Sequence, residues 1–126
     1  MTDAPDVVYM VRQGREYEEL RYSLRSLANV PHGRVWVYGA RPRWLSDQVI
    51  HVHVPQGPVK HVNTARILAE IARNRDLSPI WYWWHDDMYV LEPIAEIPRS
   101  YRCTWQEWVT ICGRGSWGPA KIRATE

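Results

Sequence analysis

Phenylalanine is absent from this chain, and cysteine, long apolar runs and a strong charge of either sign are scarce. No apolar segment approaches the ~20 residues that a membrane-spanning helix needs. Asp3 and Asp6 interrupt the N-terminus before the apolar core of a signal peptide. Cys103 and Cys112 form neither a disulfide framework nor a Cys-x-x-Cys metal pattern. The sequence therefore predicts a reduced, cytoplasmic protein without a membrane span.

The charge balance argues against nucleic-acid binding. The 16 basic and 14 acidic residues leave a formal net charge of +2, and acids lie between the bases along the chain. Charged residues make up 24% and hydrophobic residues 45%, which is typical of a globular domain with its own core. The aromatic residues are eight Trp and seven Tyr, whose polar groups suit carbohydrate or base-stacking surfaces as well as cores.

Strand and helix signals alternate along most of the chain. Leu20, Leu24 and Leu27 form an i, i+4, i+7 stripe typical of an amphipathic helix, and Asn63 has the chemistry of a helix N-cap. The pattern predicts strands at 6–12, 34–38, 49–54 and 80–84, and helices at 16–27 and 63–74. The resulting order β-α-β-β-α-β predicts an α/β fold with a mainly parallel sheet and helices on both faces.

The stretch 80–91 contains the strongest functional signal. Its aromatic and β-branched run predicts a strand buried on both faces, with Trp83 and Trp84 in the core and not forming a sugar platform. Asp86 and Asp87 follow where this strand emerges. Adjacent carboxylates repel each other and require a cation, a basic partner or a shared proton. A hard divalent ion is one solution, and a solvated acidic turn is the alternative.

Other candidate residues follow strands or open a helix. Arg12 and Gly39 each follow a predicted strand, and ligands of parallel sheets bind at the carboxyl ends of the strands. Arg12 suits contact with a nucleotide or a phosphate, or it is a solvated strand end. Lys60 and Asn63 open the second helix, where the N-terminus and an ammonium group favour anions. We interpret His85 as a residue that makes an orienting hydrogen bond and not as a metal ligand.

Three strings of the sequence follow one recognisable pattern. They are Glu-Leu-Arg-Tyr-Ser-Leu-Arg-Ser-Leu at 19–27, Val-Trp-Val-Tyr-Gly at 35–39 with Pro-Arg-Trp-Leu at 42–45, and Asp-Asp-Met at 86–88. In this order they resemble the Stealth-type sugar-phosphate transferases and related phage- and bacterium-encoded glycosyltransferase-like proteins of GT-A fold. The first string is the most specific part, and the likeness covers residues 6–98. His85 stands where the family usually has Asn.

The resemblance implies a metal-dependent glycosyltransferase or sugar-phosphate transferase that uses a UDP- or GDP-sugar donor and an unknown acceptor. It implies that Mn²⁺ or Mg²⁺ holds the donor diphosphate on Asp87, with Asp86 as a second ligand or a donor contact. Arg21, inside the first string, is implied as a donor-binding residue, and an ion pair with Glu18 or Glu19 is the alternative. The catalytic residues remain unknown at this stage. A phage-encoded chain would act in the host cytoplasm.

The resemblance also suggests a division of the chain. Residues 1–98 are interpreted as a nucleotide-sugar-binding GT-A-like domain, short or truncated relative to the family. Residues 99–126 are interpreted as a C-terminal extension or an incomplete acceptor region, with a helical face at Trp105, Trp108 and Val109 before Gly113. The alternative function is a GT-A-like module that binds a nucleotide or a glycan without turnover.

Overall fold

A four-stranded, all-parallel sheet lies at the centre of the protein. The structure, a computed structural model, describes residues 4–14, 16–98 and 104–112, without the side chains of Trp105 and Cys112. In chain order the elements are β1 (Asp6–Val11), α1 (Glu18–Ser26), β2 (Val35–Gly39), β3 (Ile50–His53), α2 (Lys60–Arg73), β4 (Trp81–Trp84) and α3 (Trp105–Cys112). A 3-10 turn, Leu27–Asn29, continues α1. The predicted α/β class and the predicted order of the first six elements are confirmed.

The direction in which the sheet grows reverses between β1 and β4. The strand order is β3-β2-β1-β4, so the chain extends the sheet from β1 through β2 to β3 and then crosses through α2 to the other side of β1. Val11 lies opposite Gly39 of β2, and Tyr9 lies opposite Trp84 of β4. Such a reversal opens a crevice at the carboxyl ends of β1 and β4, where open α/β sheets bind their ligands.

Alternate side chains of β1 enter two separate cores. Val7, Tyr9 and Val11 pack on the face covered by α1, and Val8 packs on the face covered by α2. The buried helix-side residues are Leu20 and Leu27 in the first core, and Ile67 and Ile71 in the second. Because helices cover both faces of the sheet, the sequence of β1 is a nearly continuous run of apolar residues.

The last strand, β4, is an edge strand, and this corrects the prediction that the aromatic run is buried on both faces. Within the described part of the chain it pairs with β1 alone. Trp84 is buried in the core on the α1 side, as predicted. Trp83 points to the other face and is 44% exposed, so its assignment to the core was wrong. Because β4 has a neighbouring strand on one side only, the Trp83 side chain has fewer side chains around it than one on a central strand, and it stays partly exposed.

The helix α2 begins three residues before its predicted start, and this corrects the assignment of Asn63 as the N-cap. Val59 is the residue that precedes the helix, and no side chain caps it. Asn63 lies one turn inside, where its amide donates to Gly57 O and accepts from Gly57 N, both at 2.8 Å. It therefore anchors the preceding loop to the helix.

The short helix α3 agrees with the helical pattern predicted around Trp108. Glu107 N donates to Thr104 Oγ1 at 3.2 Å, and Thr104 N donates to Glu107 Oε2 at 3.0 Å, which is a capping box. The rest of the predicted extension, 99–103 and 113–126, lies outside the described residues, and the division at residue 98 stays a prediction. None of the helices in the described ranges combines the length and apolar character that a bilayer crossing requires.

Candidate functional site

A cavity of about 330 Å³ opens at the carboxyl ends of β1 and β4. We call it the switch-point cavity, because it lies where the strand order reverses. Three parts of the chain line it, namely the end of β1, the loop and first turns of α2, and the end of β4. The lining residues are Met10 and Arg12; Gln56, Lys60, Asn63, Thr64 and Ile67; and Trp83, Trp84, His85 and Asp86.

The switch-point cavity is polar at its mouth and apolar at its floor. Arg12 follows β1, Lys60 opens α2, and Asp86 follows β4, so two cations and one carboxylate meet at the carboxyl edge of the sheet. Met10 and Ile67 lie farther from that edge on their elements, and they form an apolar floor. A ligand that is anionic at one end and flat and apolar at the other fits this distribution.

An aromatic pair forms one wall of the switch-point cavity. Trp83 and His85 are two residues apart on the same face of the chain, and their rings stack with centroids 5.6 Å apart and planes 17° apart. Because Trp83 is 44% exposed, part of its ring remains available for contact with a ligand. His85, predicted to act through an orienting hydrogen bond, is seen here in a ring contact.

Asp86 and Asp87 occupy the two central positions of a β-turn that follows β4. Met88 N donates to His85 O at 3.1 Å and closes the turn. Both acids are exposed. Asp86 lines the switch-point cavity, whereas Asp87 is absent from the lining of that cavity and of its neighbour. The turn thus brings Asp86, and not Asp87, to the side of Arg12 and Lys60.

A second cavity, of about 420 Å³, adjoins the first across Arg12 and Asp86. We call it the acidic cavity, because three glutamates line it: Glu16, which precedes α1, and Glu18 and Glu19, in its first turn. The pKa of Tyr89, nearby, is raised by partial burial and by the charges of Glu19, Asp87 and Asp86. The negative charge is therefore concentrated on the α1 side of Asp86, whereas Lys60 lines only the switch-point cavity and Arg12 lies between the two cavities.

Two residues predicted to bind the donor do not line the switch-point cavity. Arg21 Nη1 lies 3.7 Å from Glu18 Oε1, the ion pair that was the alternative, and its guanidinium lies 5.8 Å from the ring centroid of Trp44. Gly39 has a φ of +109°, and a Cβ at this position would lie 2.3 Å from Val11 O. Its missing side chain permits this backbone conformation and the close approach of β1.

Gln56, Thr64 and Trp83 line the switch-point cavity but were not predicted as site residues. Thr64 lies one helical turn after Lys60, so helical periodicity would have found it once the helix start was known. Gln56 comes from an irregular loop, where no periodic signal exists. Its Nε2 donates to Val11 O at 2.8 Å, and its Oε1 accepts from Gln13 N at 3.1 Å. Gln56 therefore fastens the loop before α2 to the end of β1.

The acids of the turn fit a hard divalent cation that arrives with phosphate groups. Within the described ranges, no three His, Cys, Asp or Glu side chains cluster in a way that could hold a metal ion. Mg²⁺ in phosphate-transfer sites takes one or two carboxylates and completes its shell with waters and substrate oxygens. Such a site would take carboxylate oxygens from Asp86, with Asp87 beside it, and further oxygens from a diphosphate.

Comparisons with protein-family models, with curated proteins and with solved structures give no match to this chain.

Proposed function

We propose that the protein is a metal-dependent transferase of GT-A type that acts on a nucleotide-activated sugar and transfers either the glycosyl group or the sugar phosphate. The observation that carries the proposal is the convergence of Arg12, Lys60 and Asp86 in the switch-point cavity, at the carboxyl ends of β1 and β4. The resemblance of the strings at 19–27 and 86–88 to Stealth-type transferases supports the choice of this reaction class.

In this proposal the donor diphosphate lies at the mouth of the cavity. Arg12 binds phosphate oxygens in a bidentate manner, and Lys60 adds a second positive charge at the start of α2. Asp86, joined by Asp87 from the same turn, holds Mn²⁺ or Mg²⁺. When bound, the cation supplies positive charge that stabilises the departing nucleoside diphosphate.

The nucleobase lies at the floor of the cavity. Met10 and Ile67 provide apolar surface there, and Trp83 provides a ring on which a base stacks. This orientation directs the sugar toward the mouth, on the side of Asp86. The acceptor remains unassigned.

Metal-dependent donor binding is the direct test. Thermal unfolding is followed with UDP- and GDP-sugars, each with and without Mn²⁺, and we expect stabilisation that requires both the sugar nucleotide and the cation. Asp86→Asn should remove the metal-dependent part. Asp47→Asn is the matched control, because Asp47 is an exposed acid that pairs with Arg41 outside the switch-point cavity. A wild-type protein that shows no metal-dependent shift with any donor contradicts the proposal.

Turnover separates a transferase from a binding module. Release of nucleoside diphosphate identifies glycosyl transfer or hydrolysis, and release of nucleoside monophosphate identifies sugar-phosphate transfer. Either release should be lost in Asp86→Asn and retained in Asp47→Asn. Binding without either release favours the alternative, a module that holds a nucleotide sugar without converting it.

A further inference from the structure

A buried serine of α1 contacts both ends of the turn that carries Asp86 and Asp87. The side chain of Ser23 is fully buried, and its Oγ donates to Met88 O at 2.5 Å. The same oxygen lies 3.5 Å from His85 O. His85 and Met88 are the two residues whose backbone hydrogen bond closes the turn. One hydroxyl group on a helix therefore bonds one end of the acidic turn and contacts the other.

The hydrogen-bond directions around Ser23 follow from the donors available. Met88 O is an acceptor only, so the single hydrogen of the Ser23 hydroxyl points to it. Tyr9, 2.8 Å away on β1, then donates its own hydroxyl hydrogen to Ser23 Oγ. Trp84 Nε1 donates to Met88 O at 3.1 Å. Met88 O thus has two donors, and the turn is fixed to the helix and to the last strand at one atom.

The backbone sets the direction of both acids, because their side chains have no other restraint. In the described ranges, neither carboxylate takes part in a hydrogen bond or an ion pair. The chain after the turn is fastened separately: Val90 N donates to Ser26 Oγ at 3.0 Å, and Asn29 Nδ2 donates to Val90 O at 2.7 Å. Ser23 is the α1 residue whose side chain bonds to the turn itself.

We infer that Ser23 is a positioning residue, which aims Asp86 into the switch-point cavity by fixing the Met88 end of its turn; the functional part of this inference rests on the proposed function. Partners that orient metal-binding carboxylates typically change metal affinity or activity by about 10–100-fold when they are removed. The first serine of the string at 19–27, which carries the resemblance, then has a physical role, because the Ser23 hydroxyl bonds to the turn.

Three variants separate a positioning role from a stabilising one. Tyr9→Phe removes the hydroxyl that donates to Ser23 and leaves the bond from Ser23 to Met88 in place. Ser23→Ala removes the contact with the turn and leaves the Tyr9 hydroxyl buried without its partner, which also lowers stability. The double variant Ser23→Ala with Tyr9→Phe leaves no unpaired hydroxyl, so it should regain part of that stability.

The affinity for UDP in the presence of Mn²⁺ is measured by calorimetry for all three variants. We expect Tyr9→Phe to retain the wild-type affinity, and Ser23→Ala and the double variant each to lose about tenfold. If Ser23→Ala alone does not fold, the affinity of the double variant tests the inference in its place. Recovery of affinity together with stability in the double variant would mean that Ser23 only stabilises the fold, and it would overturn the inference.

Amide hydrogen exchange in the free protein tests the geometry without any ligand. The amide of Met88, which closes the turn, should exchange faster in Ser23→Ala and in the double variant than in Tyr9→Phe. Equal exchange in all three overturns the positioning role, whatever the protein binds. Faster exchange in the two alanine variants, together with a wild-type protein that does not bind UDP and Mn²⁺, supports the role of Ser23 in the turn and contradicts the proposed function.

Discussion

The indole Nε1 of Trp36 donates a hydrogen bond of 3.0 Å to Oδ2 of Asp6, at the start of the central strand. Asp6 is 3% exposed, and its carboxylate also accepts from the backbone N–H groups of Arg34 at 2.8 Å and Ser78 at 3.2 Å. One buried carboxylate therefore joins the start of β1 to the segments that lead into β2 and β4.

Replacing Asp6 by Asn should lower the free energy of unfolding by about 2 kcal/mol, because hydrogen bonds to a charged acceptor are lost and an amide NH₂ must face a donor. Urea unfolding measures the change. Asp47→Asn is the control, since Asp47 is almost fully exposed and its ion pair with Arg41 lies on the surface. Equal stability of Asp6→Asn and wild type would show that the buried carboxylate does not hold these segments.

Gly39→Ala should destabilise the protein by about 3 kcal/mol, because a side chain at this positive φ is strained and its Cβ would collide with Val11 O. Gly57→Ala is the matched control: apart from Gly57 and its two chain neighbours, no atom of the described residues lies within 4 Å of its Cβ position. Chemical denaturation of both variants gives the comparison. A Gly39→Ala protein of normal stability with impaired donor binding would instead support the donor-binding role predicted from the sequence.

Trp83→Ala should weaken the affinity for nucleoside diphosphates about tenfold, because stacking of a base on an aromatic ring is lost. Thermal stability should change little, since Trp83 is 44% exposed on an edge strand. Tyr22→Ala removes an aromatic ring that is 56% exposed on α1, outside the switch-point cavity, and serves as the control. Equal affinities of the two variants would argue against stacking of a base on Trp83.

Asp86→Asn should reduce the metal-dependent binding of UDP more than Asp87→Asn does. The reason is geometric, since Asp86 lines the switch-point cavity and Asp87 does not. Titration of Mn²⁺ at a fixed UDP concentration measures both variants. A larger loss in Asp87→Asn would favour the ligand order implied by the family resemblance.

Stability should fall in alkaline solution. Burial raises the pKa of Tyr9 above its ordinary value of about 10, and the charge of Asp86 raises it further. The neutral phenol is therefore favoured in the folded state. The contribution of the buried Tyr9 phenol to the free energy of unfolding is fully present below the pKa of Tyr9 in the unfolded state. Above about pH 10 this contribution declines by at most ~1.4 kcal/mol per pH unit.

Tyr9→Phe should flatten this alkaline decline, and unfolding in urea between pH 8 and pH 11 measures the slope. Part of the slope should remain, because burial also raises the pKa of Tyr38. Tyr38→Phe should remove the Tyr38 part and leave the Tyr9 part. A slope that does not depend on either tyrosine would contradict this account.

Much of the fold was predictable because its signals are local. The runs around Val7, Val37 and Val52 have strand composition, and the leucines after Glu19 recur with helical spacing. The start of α2 was missed, because an Asn inside the first turn resembles an N-cap in sequence. A capping box at Thr104 and Glu107 was available in the sequence and marks the start of α3.

The candidate site was predictable only in part. The expectation that ligands bind at the carboxyl ends of parallel strands led to Arg12 and Asp86, and the preference of helix N-termini for anions led to Lys60. The structure brings these three residues to one cavity. Arg21 was predicted to bind the donor because of the resemblance, but it lines another groove, beside Trp44. Periodicity indicates that a residue lies on a helix, but not which neighbouring element its face will meet.

The sequence alone determined the alternation of strands and helices, the adjacency of Asp86 and Asp87, and the presence of Ser23 one turn after Glu19. Only the tertiary structure decided that β4 lies at the edge of the sheet and that the partly exposed ring of Trp83 lines a cavity. The tertiary structure also decided that Ser23 bonds to Met88, 65 residues further along the chain. The physical reason is that local periodicity depends on neighbours within a few positions, whereas strand order and buried hydrogen bonds depend on how distant segments pack together.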